Sequence, residues 1–210
     1  MLFDMGNREA LLEGAKRCLL EKGYSRTTAR DIADAAGVSL AAIGYHYGSK
    51  ESLLEQAFMA AMEDWFDDEK QELREEAQEA REVKAERAEA APAADPIERF
   101  REFFGAVIAT FPEQQPLLRL NIEMGLEAGH NPALATFMAA AVQLGREGLA
   151  ENLAGLDPKR DGQLAQQVGA FYSVLMTGIV AQYLIDRERF PSADDLAEGL
   201  RYVAERAHNA

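Results

Sequence analysis

Residues 28–47 constrain this chain more than any other stretch, because two sets of helix punctuation fall within a few turns of each other. Thr28 can N-cap a helix, with Asp31 at the third helical position reaching back as its capping-box partner. Ile32, Ala33 and Ala36 then form the inward face. Gly37 can take the left-handed conformation that lets a chain leave a helix without a Cβ clash. Val38 plugs the angle, and Ser39 caps the next helix. The spacing predicts helices over 28–36 and 39–47. In the second, Leu40, Ala41, Ala42 and Gly44 keep the exposed face slim, while Ile43 and Tyr47, four apart, point inward. A compact helix-turn-helix of this kind presents its second helix to the major groove of DNA.

The flanking residues extend the pattern: Gly23, the Thr27-Thr28 pair, Asp31-Ile32-Ala33, Ala36-Gly37-Val38-Ser39, Tyr45-His46-Tyr47, Ser49-Lys50-Glu51 and Leu53-Leu54. Together they resemble the DNA-binding domain of the TetR-like (tetracycline-repressor-type) bacterial transcriptional regulators. The rest of the chain is similar to that family only in length and helical texture. The resemblance implies that Thr28, Ser39, Tyr45, His46 and Lys50 meet DNA phosphates, which sets register and salt dependence rather than sequence choice. Thr28 and Ser39 are also ordinary helix caps, and Tyr47 reads as core.

Sequence choice has to come from base edges. Arg30 is the long donor best placed for bidentate contact with a guanine, unless it pairs with Asp34 one turn on. Leu40, Ala41 and Ala42 offer methyl groups suited to thymine methyls. Gly44 departs from the family, which often carries an aromatic there.

Composition is compatible with a DNA binder only once the charge is localised. The net charge is −14. Residues 1–56 carry seven Lys/Arg against eight Asp/Glu, whereas 57–96 carry five against thirteen. The acidity therefore lies outside the reading head, and bulk repulsion should weaken non-specific binding. Alanine, leucine and glutamate are abundant and no stretch alternates with period two, so an all-α protein follows. No apolar run reads as the roughly 20 residues of a membrane span, and no signal-peptide pattern opens the chain. A cytoplasmic protein without membrane contact is expected. The single cysteine, Cys18, excludes an internal disulfide and reads as a core filler.

The expected organisation is an N-terminal three-helix helix-turn-helix domain (1–48), a connecting helix (49–66) and a larger helical effector and dimerisation domain (67–210). Asn7 should cap a first helix running to Lys22, with Leu11, Leu12, Ala15, Leu19 and Leu20 at helical spacing. Ser49 should cap the connecting helix. Residues 67–96 are acidic and alanine-rich, either a solvated helix or a flexible segment. Prolines then punctuate helices near 96–110, 117–129, 132–153, 161–186 and 193–208.

One reading head contacts too few bases for useful selectivity, so a homodimer on a double-stranded operator is expected. The helix Leu164–Ile185 is apolar nearly all round, one face for its own core and another for a partner. Phe171, Tyr172, Leu175, Ile179 and Tyr183, with Leu200 and Val203 of the last helix, are the candidate dimer residues. The resemblance also implies an effector cavity, for which Phe104, Phe111, Met124, Glu127, Phe137, Met138 and Met176 are candidates. Glu123 and Glu127 beside His130 suit a cationic or hydroxylated ligand, or a solvated face. The mechanism expected is repression relieved by a small-molecule effector.

Enzymatic chemistry finds no support: there is no Gly-rich phosphate loop, nucleophile elbow or paired Cys/His set, and the histidines are only His46, His130 and His208. No cofactor or metal is expected. Glu63 with Asp67, and Asp64 with Asp68, read as a solvated acidic face rather than a cation site. The alternative function is a protein-interaction module that keeps the scaffold but no longer binds DNA.

Overall fold

A computed structural model describes residues 2–65 and 95–208. They form helices and turns: α1 (Leu2–Lys22), α2 (Ala29–Ala36), α3 (Ala41–Tyr47), α4 (from residue 50 to 65), α5 (Pro96–Ala128), α6 (Pro132–Ala154), α7 (Pro158–Ile185) and α8 (Ala193–His208). The all-α class read from composition holds. The acidic segment, with Asp67 and Asp68, lies outside the described residues apart from its end. The chain divides into two compact units, one from 1–67 with 114–141, the other from 68–113 with 142–210.

In the first unit α1 lies directly on α2. A Cβ at Gly14 would come within 3.1 Å of the Ala36 amide and the Ile32 carbonyl, so glycine permits the close crossing. Leu11, Ala15 and Leu19 of α1 are buried, as are Ile32, Ile43, Leu53, Leu54 and Phe58. The burial follows the helical spacing of the apolar residues. Cys18 is buried too, and burial pushes its thiol pKa up, which suits a filler better than a reactive thiolate. α1 starts well before Asn7, which sits inside it rather than capping it. Ser49 does cap α4: its Oγ accepts from the Ser52 amide at 3.0 Å. The unit is completed by Leu117, Leu118, Leu120, Met124 and Leu134, all buried, and by an edge-on contact of Phe58 with Phe137 at 6.1 Å.

α5 corrects the expected break between 110 and 117. Pro112 and Pro116 lie inside one continuous helix. A proline costs a helix interior about 3 kcal/mol, while each fully buried large apolar side chain contributes roughly 1.5–3 kcal/mol. Phe111, Leu117, Leu118 and Leu120 are all buried and both prolines are exposed, so packing carries the helix through.

In the second unit Phe100, Phe104, Val107 and Phe111 bury one face of α5. Phe111 meets Tyr183 edge-on at 5.0 Å, and Tyr183 meets Phe190 at 5.5 Å. Asp157 caps a turn that opens at Pro158, accepting from the Lys159 amide with proline at the first helical position, and the long run of α7 follows it close to the expected start near 161. Gly162, with φ +50°, kinks this first turn. Where α7 crosses α6, a Cβ at Gly169 would lie 2.2 Å from the Arg146 carbonyl oxygen.

α7 also departs from the expectation that no apolar run has the length of a membrane span. By length and composition it is long and apolar enough to cross a membrane, with mean hydropathy 1.6. Its apolar residues serve two opposite faces. Ala165, Gly169, Ile179, Val180 and Tyr183 are buried, whereas Leu164, Phe171, Val174 and Ile185 are exposed.

Candidate nucleic-acid interface

The turn before α2 is built as its sequence demands. Thr28 Oγ1 accepts from the Asp31 amide at 3.2 Å, and the Thr28 amide donates to Asp31 Oδ2 at 2.9 Å. The hydroxyl also donates to that oxygen at 2.6 Å. Lys22 Nζ, from the end of α1, lies 2.6 Å from the other carboxylate oxygen. Lys22 and the Thr28 bonds hold the Asp31 carboxyl well below the usual carboxylate range. Both donors of Thr28 are therefore engaged by Asp31, and a phosphate at this corner would meet the first-turn amides of α2, which a helix leaves without intrahelical partners.

Gly37, with φ +67°, closes α2 in the left-handed conformation. The start of α3 differs from expectation. Its N-cap is Leu40, with no side-chain cap bond, and the Ala42 and Ile43 amides instead reach the Ser39 and Leu40 carbonyls in a tight first turn. Ser39 is exposed beside this turn and does not cap it.

α3 is held by Ile43 and Tyr47, both buried, with the Tyr47 hydroxyl donating to the Arg8 carbonyl at 2.7 Å. That leaves Leu40 half exposed, Ala41 exposed, and Tyr45 exposed at 76% with its ring edge-on to His46 at 4.8 Å. Ala42 and His46 are intermediate. Thr28, the N-cap of α2, and Arg30 within it are exposed, and no Arg30–Asp34 ion pair forms among the described residues. Lys50 Nζ donates to the Thr27 carbonyl at 3.3 Å and lies 3.5 Å from Glu51. Gly44 has open space where a Cβ would stand, so no packing demands glycine there.

Three supports of this surface had no local sequence signal. Thr27 is 1% exposed, its Oγ1 bonding the Cys18 and Gly23 carbonyls at 3.1 and 2.7 Å. Arg17 donates to the Ala35 carbonyl at 2.5 Å. Glu123 of α5 accepts from the Ser25 amide at 3.1 Å, so it is neither a solvated face nor free for a ligand as its spacing suggested.

The remaining candidates fall into both units. Phe104, Phe111 and Met176 belong to the second; Met124, Glu127, Phe137 and Met138 belong to the first. Phe104, Phe111 and Met124 are completely buried, and the others are partly exposed. A small cavity of about 50 Å³ in the second unit is lined by other residues, among them Gln143, Arg146 and Gln166. Of the dimer candidates, Phe171 and Val203 are exposed, and Tyr172, Leu175 and Leu200 are intermediate. Ile179 and Tyr183 are buried within their own chain at 6% and 8% exposure. They fall at helical spacing with Ala165 and Gly169, on the face that packs inward, and this corrects their assignment to a partner surface.

A short capped helix, a tight left-handed turn and a thin exposed second helix are the parts of a helix-turn-helix DNA-binding regulator. Residues 11–57 match the family described as bacterial regulatory proteins, tetR family, and residues 91–206 match its tetracyclin repressor-like C-terminal domain. The chain belongs to the TetR family. It is 45% identical over 49 residues to the HTH-type transcriptional repressor AcnR of Corynebacterium efficiens, covering 23% of this chain and 26% of that protein. It is 39% identical over 61 residues to the repressor KstR2 of Rhodococcus jostii, covering 29% and 30%. The chain thus spans under a third of the length of these curated relatives.

Solved structures share the fold over nearly the whole chain. The multidrug binding protein EbrR complexed with proflavin gives a TM-score of 0.59 at 23% identity, covering 93% of this chain and 98% of that one. A transcriptional regulator from Saccharomonospora viridis in complex with choline gives 0.58 at 22% identity, covering 94% and 95%.

Proposed function

We propose that this protein is a homodimeric, sequence-specific repressor that leaves a pseudo-palindromic operator when a small molecule binds. The observation that carries the reading is the surface of α2 and α3, where only Ile43 and Tyr47 anchor the second helix and Leu40, Ala41, Tyr45 and Arg30 stay exposed. Residues 1–48 read the DNA, 49–66 connect, and 67–210 take effector and partner. A DNA target assigns the working protein to the cytoplasm.

Dimerisation is supported by the exposed apolar residues Leu164, Phe171 and Val174 of α7 with Tyr202 and Val203 of α8. A row of this kind is costly on a monomer and suits an isologous interface. Effector release has its support in EbrR and the S. viridis regulator, whose structures hold proflavin and choline.

The test is selection of bound sequences from random duplex DNA, then anisotropy titration of the winner across a salt series. An enriched pseudo-palindrome with a steep salt slope supports the reading. Failure to enrich any sequence refutes it. Sedimentation should give a dimer mass that Phe171→Glu reduces to a monomer. Proflavin and choline are the first effectors to add, and any that lowers operator affinity must itself bind more weakly when operator is present.

A further inference from the structure

We propose that Glu123 is a positioning residue for DNA recognition, fastening the loop between α1 and α2 from a helix outside the reading head. The role rests on the reading of this chain as a DNA-binding regulator. Glu123 stands on α5, and its Oε1 accepts from the Ser25 amide at 3.1 Å, across 98 positions of sequence. Its other oxygen rides over Gly23, where an added Cβ would lie 2.3 Å from Oε2. Gly23 also has φ +82°. The positive φ favours glycine there, and the absent Cβ leaves the carboxylate room to reach the loop.

The loop that Glu123 grips leads straight into the contact residues. Thr27 ties it to α1 through the Cys18 carbonyl and closes the loop on itself through the Gly23 carbonyl. Lys50 ties it to α4 through the Thr27 carbonyl. Thr28 then opens α2 with its capping box. Among the described residues the loop is hydrogen-bonded to α1, α4 and α5, and of these α5 is the one from the C-terminal part of the chain. A displacement of α5 by about 1 Å would carry a 3.1 Å hydrogen bond beyond bonding distance. Thr28, Lys50 and the first-turn amides of α2 would lose their fixed positions while the rest of the head stayed folded. α5 thus biases the reading head directly, through its hold on the loop that precedes α2.

The test compares Glu123→Ala and Glu123→Gln with the wild-type chain on the operator recovered by selection. Glutamine keeps a side-chain oxygen to accept from Ser25, and alanine keeps none. Glu123→Ala should bind operator about tenfold more weakly, as loss of a hydrogen bond to a charged group implies. Hydrogen exchange at the Ser25 amide should speed up in parallel while the thermal midpoint stays close to wild type. Glu123→Gln should restore both affinity and protection. Wild-type affinity and protection in Glu123→Ala would overturn the proposal, as would equal weakness of the two variants. If the wild-type chain enriches no DNA sequence, the functional reading falls and takes this role with it. Intact Ser25 protection in Glu123→Ala would overturn the contact itself, so the two failures are separable.

Discussion

Lys22 and Asp31 form the ion pair that joins the end of α1 to the start of α2, with Nζ 2.6 Å from Oδ1. Asp31 serves two neighbours at once, since its second oxygen receives the amide and hydroxyl of Thr28. The helix pair is therefore clamped by one carboxylate shared between a cap and a cation.

Stability should carry the signature of that carboxylate. Its pKa is lowered in the folded chain, by the Lys22 bond first and the Thr28 bonds next. A depressed pKa contributes stability that is present above the ordinary aspartate range and is lost as pH falls through and below it. Chemical denaturation of wild type and Asp31→Asn should show a difference at pH 7 that shrinks steadily below about pH 4. A difference independent of pH would mean that the charge of Asp31 does not matter.

Lys50 and Arg30 should separate in DNA binding. Lys50→Ala should weaken binding to all sequences alike and reduce the salt slope by about one. Arg30→Ala should cost about 1–3 kcal/mol and relax discrimination at one or two positions of each half-site. Binding to a library of single-base operator variants measures both. An unchanged preference in Arg30→Ala would remove the base contact from this residue.

The two tyrosines of α3 should also behave oppositely. Tyr47 is buried and its hydroxyl is satisfied by the Arg8 carbonyl, so Tyr47→Phe should cost about 1 kcal/mol of stability. Tyr45 is 76% exposed, so Tyr45→Ala should leave the melt nearly unchanged and weaken operator binding. Paired urea melts and anisotropy titrations check this.

Glycines test the packing. Gly169→Ala places a Cβ 2.2 Å from the Arg146 carbonyl oxygen and should destabilise by about 1–3 kcal/mol. Gly44→Ala meets nothing within 4 Å and should stabilise α3 by up to about 1 kcal/mol. Thermal melts of the two variants should shift in opposite directions.

Local patterns in the chain fall silent where a residue's partner is remote. Pro112 and Pro116 looked like helix ends because local rules weigh the lost hydrogen bond and cannot see Phe111 and Leu117 buried beside them. Ile179 and Tyr183 looked like partner residues because α7 is apolar nearly all round, and only the packed fold tells its inner face from its outer one. Glu123 looked like a solvated or ligand-binding residue because its partner, Ser25, is 98 positions away.

What the sequence by itself determined is the set of features whose partners lie within one turn. These are the Thr28–Asp31 box, the left-handed Gly37 and the Ser49 cap. Such interactions depend on side-chain chemistry at three- and four-residue spacing, so they are written in the order of the residues. Tertiary structure alone decided the Lys22–Asp31 pair, the Gly14 and Gly169 crossings, the face that α7 turns inward and the Glu123 hold on the Ser25 amide. Each of these joins groups on different elements, and their free energy exists only after the chain has been brought together.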